Sequence, residues 1–293
     1  MNKTVALPTG ERVPALGLGT WQMGESASTR DAEIAAILHA IEGGYRLFDT
    51  AEMYGEGGAE TVLGRALAEA LRAGVVQRKD LFIVSKVYPH HADRKGVPAA
   101  CDRSRKRLGL DVIDLYLLHW RGAVPLAEAV DAFEALKAQG AIREWGVSNF
   151  DLDDLIELEA IDRPRLTAKP GKLHCATNQI YYALDERGAE FSLLTYQQTL
   201  HMPTMAYCPL GRGSLADDAT LQSLAAARGA TAAQIALAWA IRAGDVIAIP
   251  KAVGHAHLAE NIAAVEIELT AEELKAIDAV FVPPAEKRPL AMV

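Results

Sequence analysis

Eight short runs of large or β-branched apolar residues recur along the chain, separated by alanine-rich stretches. The runs are LGLGTW, YRLFD, LFIVSK, VIDLYLLH, IREWGVS, ATNQIYY, PTMAYCP and VIAIPK. Near-continuous apolar runs suit strands buried on both faces of a parallel sheet. Between them, DAEIAAILHAIEGG, GAETVLGRALAEAL, PLAEAVDAFEALKAQG and TAAQIALAWAIRAG carry apolar residues at helical spacing. Glycines at Gly43, Gly44, Gly140 and Gly244 follow helical patterns, as helix-terminating glycines do. The alternation predicts a (β/α)8 TIM barrel occupying residues 1–293 as one domain. A doubly wound open sheet is the rival, weakened because no GxGxxG turn follows the first strand. TVALPTGERVPALG reads as a short N-terminal hairpin, and LTAEELKAIDAVF as an extra C-terminal helix. Residues 160–174, polar and proline-bearing, read as a long loop.

Charge narrows the partners. Against 30 basic residues stand 38 acidic ones, a formal net charge of -8, so no basic excess exists to neutralise nucleic-acid phosphates. Cys101, Cys175 and Cys208 are widely separated, which suits reduced thiols in a cytoplasmic protein better than a disulfide framework. MNKTVALPTG lacks a signal-peptide core, and the longest apolar segment is broken by Gln234. The expectation is a cytoplasmic protein with no membrane partner.

In a barrel of this type the chemistry sits at the C-terminal ends of the strands. The residues that end the apolar runs are Trp21, Asp49, Lys86, His119, Ser148 with Asn149, Gln179, Tyr207 and Lys251. Nearly all ionise, hydrogen-bond or stack. A single polar strand end is ordinarily a residue meeting solvent, but a ring of them around one mouth is a site. Asp49, Tyr54, Lys86 and His119 suggest a proton donor. A free tyrosine titrates near 10, and a neighbouring ammonium favours the phenolate, so Lys86 is expected to pull Tyr54 down. Asp49 would hold Lys86 in place and keep it charged, and His119 would orient a carbonyl oxygen. Such a set protonates an oxygen that is becoming an alkoxide.

The segments GLGTW, FDTAEMYGEG, VSK, DLYLLHW, GVSNF, NQIYY, AYCPLGRG and IPKAVGHAHLAEN, in this order, resemble the aldo-keto reductases over essentially the whole chain. The resemblance implies NADPH lying across the barrel mouth and reduction of a small-molecule carbonyl. It assigns the family's catalytic tetrad to Asp49, Tyr54, Lys86 and His119. It implies further that Thr20, Ser148, Asn149 and Gln179 lie at the nicotinamide end, with the carboxamide on the last three. Tyr207 would stack on the nicotinamide. Leu210, Gly211 and Gly213 would cover the pyrophosphate, where glycine permits close backbone approach. Lys251 would meet the 2′-phosphate, and Glu260 and Asn261 the adenine. A monomer is also implied.

Two positions depart from the family pattern. Serine commonly follows the lysine, and arginine stands six residues past it, whereas this chain has Ala252 and His257. Arginine is always charged and bidentate, while an ordinary histidine is mostly neutral at pH 7. NADPH is still expected as cofactor, with NADH possible but weaker and the margin narrowed. Affinity for NADPH should fall as pH rises through the titration of His257.

Aromatics after strand ends, Trp21, Tyr88 and Trp120, are the candidate carbonyl-pocket walls. The tail beyond Phe281 is short, which points to an open pocket for small aldehydes, α-dicarbonyls or keto-sugars. YPHH at 88–91 has no carboxylate cluster at ligand spacing, and His174 reads as a surface residue rather than a ligand, so no metal is expected. Cys208 reads as a small packing residue. The alternative function is an NADP-binding regulatory or subunit-like barrel without turnover. The intact tetrad weighs against it.

Overall fold

The computed structural model describes residues 3–165 and 173–293. An antiparallel hairpin of β1 (Thr4–Ala6) and β2 (Arg12–Pro14) comes first, with Val5 opposite Val13. Eight parallel strands follow: β3 (Leu18–Gly19), β4 (Leu47–Asp49), β5 (Phe82–Val87) and β6 (Ile113–Leu118). The second half is β7 (Ile142–Ser148), β8 (Cys175–Tyr181), β9 (Thr204–Tyr207) and β10 (Val246–Ala248). They pair strictly in sequence order. The two ends of the sheet then meet. Leu16 bridges Ala248, the Gly17 amide donates to the Ala248 carbonyl at 2.9 Å, and the Gly19 amide donates to the Pro250 carbonyl at 3.0 Å. Closure joins the two edges of the eight-stranded sheet, and that sheet is a barrel.

The outer layer consists of α1 (Arg30–Glu42), α2 (Gly58–Arg72), α3 (Gly96–Leu108), α4 (Leu126–Ala138), α5 (Leu152–Asp162) and α6 (Leu193–Thr199). Next come α7 (Ala219–Arg228), α8 (Ala232–Ala240), α9 (His255–Ala263) and α10 (Ala271–Val280). Asp151 with Asp154, Thr231 with Gln234 and Thr270 with Glu273 form capping boxes that start α5, α8 and α10. Between layers, Phe133 of α4 stacks on Trp145 of β7, with ring centroids 5.6 Å apart. Among the described residues no helix is long and apolar enough to cross a membrane.

The hairpin, the eight strands and the C-terminal helix lie where the sequence pattern puts them. Three details differ. β3 has two residues where the run LGLGTW suggests six, because glycine is needed for close approach. A Cβ on Gly17 would lie 2.3 Å from a Leu47 methyl and 2.9 Å from the Leu47 carbonyl oxygen. Second, α7 was not expected, since its only buried residues are Leu221 and Ala225 and its apolar stripe is thin. Third, the expected 160–174 loop begins later: α5 continues to Asp162 and a single 3₁₀ turn covers Arg163–Arg165. Positions 166–172 of that expected loop lie outside the described residues.

Candidate active site

The strand ends converge on a cleft of about 500 Å³ across the barrel mouth. That size is ordinary for a small-molecule site. Tyr54 and His119 lie at one end, and Lys251, His257, Glu260 and Asn261 at the other.

Behind the first end sits a buried ion pair. Lys86, near the end of β5, is 0% exposed and donates to both Asp49 carboxylate oxygens, at 2.9 and 2.7 Å. It also donates to the Thr50 carbonyl at 2.8 Å and to the Tyr54 hydroxyl oxygen at 3.2 Å. Gln179 of β8 adds a donor to Asp49 at 2.7 Å. Burial pulls Lys86 below its ordinary value and pushes Asp49 above its own, and each partner's charge opposes the shift.

Tyr54 follows β4 in a tight turn, its amide bonded to the Ala51 carbonyl at 3.1 Å. Its ring meets His119 edge-on, centroids 5.7 Å apart. The phenol oxygen accepts from Lys86, so its own proton stays free to be donated. The expectation that Lys86 depresses this phenol is overturned: burial, and after it the Asp49 charge, push Tyr54 well above its ordinary value. The main physical reason is burial, and the Asp49 charge beside Lys86 adds to it. His119, just past β6, is held well below its ordinary value by burial and then by the Lys86 charge. It is a neutral imidazole, and its buried Nδ1 has no hydrogen-bond partner among the described residues. One ring nitrogen of a neutral imidazole donates and the other accepts.

The remaining nicotinamide-end candidates form a chain. Tyr207 donates to the Asn149 side-chain oxygen at 2.8 Å. Asn149 in turn donates to the His119 carbonyl at 3.1 Å and to Ser148 Oγ at 3.2 Å. Ser148 then donates to the Gln179 carbonyl at 2.9 Å. The Tyr207 ring stacks on Tyr181, with centroids 5.8 Å apart. Thr20 does not line the cleft. It is fully buried, and its hydroxyl donates to the Asp49 carbonyl at 3.0 Å, so it braces the strand end instead.

At the far end Lys251 and His257 are exposed to the cleft, and Ala252 is buried beside them. Gly254 starts α9 without a side-chain cap, leaving the first helix amides untaken by a side chain. A lysine ammonium, an imidazole and open helix amides suit a phosphate. The loop between the ends contains Leu210, Gly211 and Gly213. Gly211 has φ +57, and a Cβ there would fall 2.3 Å from the Asp185 carboxylate. The residues thus fit a dinucleotide phosphate in charge and in backbone access.

Trp21 lines the cleft, but Tyr88 and Trp120 do not. Tyr88 turns away to donate to Glu56 at 2.9 Å and meets Trp120 edge-on at 6.0 Å, while Trp120 also flanks His119 at 4.9 Å. Sequence reasoning also missed Gln22, Met53 and Arg212, all of which line the cleft. The Arg212 guanidinium lies 5.8 Å from the Trp21 ring, a contact made possible by φ +57 at Arg212. Cys208, read as a packing residue, lines the cleft half-buried, and burial raises its thiol. Among the described residues, six non-glycine positions have positive φ, and Gln22, Asn149, Cys208 and Arg212 of these line the cleft. Such strain clusters at ligand sites.

A model of the aldo/keto reductase family matches residues 15–281. Methylglyoxal reductase YeaE of Escherichia coli is 46% identical over 286 residues, 96% of this chain and 95% of that one. An uncharacterized oxidoreductase of Bacillus subtilis, YtbE, is 34% identical over 93% of this chain and 91% of its own length. Among solved structures, an aldo-keto reductase from Klebsiella pneumoniae in complex with NADPH superposes with a TM-score of 0.91 at 45% identity, covering 100% of both chains. The thermostable aldo-keto reductase Tm1743, bound to the inhibitor epalrestat, gives 0.85 at 38% identity over 94% of this chain and 99% of that one.

The field at Tyr54 has a direct readout. In an alkaline titration of the ligand-free protein followed by tyrosinate absorbance, wild type and Tyr54→Phe should differ by no phenolate signal up to about pH 10. A phenolate that ionises below that and vanishes in the variant would contradict the raised phenol described.

Proposed function

The chain belongs to the aldo/keto reductase family, and from that premise we propose that it reduces small aldehydes, α-dicarbonyls or keto-sugars, with Tyr54 as general acid. It is an NAD(P)H-dependent oxidoreductase acting on carbonyl groups, and its cofactor is NADPH. The observation that carries the Tyr54 role is the Lys86–Tyr54 hydrogen bond of 3.2 Å, in which the phenol is acceptor. A phenol so held presents its proton to the cleft and keeps it at neutral pH, as a donor must. An alkoxide is a far stronger base than a phenolate, so a raised phenol still transfers its proton once the carbonyl oxygen gains negative charge.

When bound, NADPH supplies the hydride. Lys251, His257 and the first amides of α9 would hold its 2′-phosphate, and Ala252, Glu260 and Asn261 would border the adenosine. Leu210, Gly211 and Gly213 would pass over the pyrophosphate. Ser148, Asn149, Gln179 and the Tyr207 ring would bound the nicotinamide. Lys86 then stabilises charge growing on Tyr54, Asp49 keeps Lys86 in place, and His119, neutral, orients the carbonyl oxygen. A methylglyoxal reductase at 46% identity supports an α-dicarbonyl as preferred substrate. Trp21 and Met53, beside Tyr54 in the cleft, offer a compact apolar wall for such a molecule.

NADPH consumption measured with methylglyoxal, simple aldehydes and keto-sugars tests the substrate class. Methylglyoxal should show the highest kcat/KM. Tyr54→Phe should lose about 10²–10⁴-fold in kcat/KM, the size of a general-acid contribution, with NADPH binding unchanged. Rates near wild type in that variant would remove Tyr54 from the role. For the cofactor end, histidine changes charge within the neutral range, and its cationic form favours phosphate. The NADPH dissociation constant should therefore weaken several-fold between about pH 6 and 8.5, NADH should not show the effect, and His257→Arg should flatten it. A flat NADPH profile in wild type would exclude His257 from phosphate binding.

A further inference from the structure

At the opposite face of the barrel from the cleft, three side chains from three elements converge. Glu134 lies on α4, Asp162 ends α5, and His174 immediately precedes β8. One ligand atom from each falls within 4.8 Å of the others. His174 Nδ1 stands 3.2 Å from Asp162 Oδ1 and 3.3 Å from Glu134 Oε1.

The Asp162 side chain is 0% exposed, and its two oxygens are treated differently. Oδ2 accepts the His174 amide at 2.7 Å and the Cys175 amide at 3.4 Å. Oδ1 and His174 Nδ1 are buried atoms that complete no hydrogen bond among the described residues, and their 3.2 Å approach to each other is an ion-pair contact only if the imidazole is protonated. A buried carboxylate oxygen and a buried ring nitrogen left in this way are expensive unless something occupies the space between them. The Trp145 indole donates at 2.5 Å to Glu134 Oε1, the oxygen that also faces His174, and so fixes that carboxylate in place.

A proton shared between imidazole and carboxylate would draw the atoms to about 2.7–2.9 Å. The observed 3.2 and 3.3 Å are longer. They approach the edges of a tetrahedron with bonds of about 2.0–2.2 Å, which are about 3.3–3.6 Å, the bond lengths of zinc with nitrogen and oxygen. We propose that Glu134, Asp162 and His174 form a binding site for one divalent transition-metal ion of the zinc class, with water completing the coordination. Glu134 and His174, about a third exposed at 31% and 32%, leave an entry path on the solvent side.

The site is structural rather than catalytic. Cys175 opens β8 and Gln179 lies four residues further along it at the cleft, on the order of 13 Å away at strand rise. The ion would tie the ends of α4 and α5 to the start of β8. It would stabilise the fold by binding the native state selectively, without touching the carbonyl chemistry. Its ligands are used by no step of the proposed reduction, so failure of one reading leaves the other standing.

Untagged, metal-stripped full-length protein titrated with Zn²⁺ by calorimetry tests this, together with thermal unfolding with and without Zn²⁺. The expected result is one equivalent bound and a Zn²⁺-dependent rise in Tm. His174→Gln, which keeps the backbone amides on Asp162, should weaken the Zn²⁺ dissociation constant by at least about tenfold. Asp162→Asn should do the same, with kcat/KM unaltered by metal removal. Zn²⁺ binding that is absent, or identical in wild type and His174→Gln, would overturn the site. So would NMR showing that His174 stays a charged imidazolium between the two carboxylates in saturating Zn²⁺.

Discussion

Lys86 carries an ammonium into a place with no solvent exposure, and the mouth of the barrel is organised around that cost. Removing such an ion from water costs several kcal/mol unless excellent partners replace the water. Asp49 supplies two carboxylate oxygens, Thr50 a carbonyl and Tyr54 a hydroxyl. All three residues belong to β4 and the turn after it. The pair therefore joins β4 to β5 and fixes the turn on which the phenol stands. Thr20, just past β3, bonds the Asp49 backbone carbonyl, and Gln179 from across the barrel bonds its carboxylate, so the ion pair is held from several strands. Burial, with the Asp49 charge after it, keeps Tyr54 a phenol rather than a phenolate, which suits a group that gives up a proton only when an alkoxide appears.

Much of this is legible in sequence because barrel geometry turns order along the chain into position around a mouth. Asp49, Lys86, His119, Ser148, Gln179, Tyr207 and Lys251 each end an apolar run, and the barrel brings those ends together. Spacing says less about direction and neighbours. Tyr88 and Trp120 follow strand ends just as Trp21 does, yet they pack on each other outside the cleft because Glu56 captures the Tyr88 hydroxyl. Thr20 was expected near the nicotinamide but is buried against the Asp49 carbonyl, and the bond of cleft-lining Gln179 to Asp49 is set by the barrel's cross-section rather than by separation in sequence. Nor can spacing reveal the positive φ that turns Arg212 toward Trp21, or the burial that reverses the expected shift at Tyr54.

The two ends of the cleft differ in kind. The reacting end is buried and over-determined, each polar side chain but the His119 ring hydrogen-bonded to at least one other group. The far end, where the proposed reading places the adenosine, is exposed, with Lys251 and His257 facing solvent and Ala252 offering no donor. Substitutions are tolerated more readily where neighbours do not depend on them, and the departures from the family pattern fall at that exposed end. Selectivity between phosphorylated and unphosphorylated cofactor can therefore vary without disturbing the proton-donating group.

The central claim is that Asp49 and Lys86 act as one unit on Tyr54. A double-mutant cycle on kcat/KM, with Asp49→Asn, Lys86→Met and the double variant, each first shown to bind NADPH, measures that directly. The account predicts strong non-additivity: the double variant should be little worse than the poorer single one, with a coupling of about 2–3 kcal/mol. Losses that simply add would show that the two residues act independently and would contradict the account.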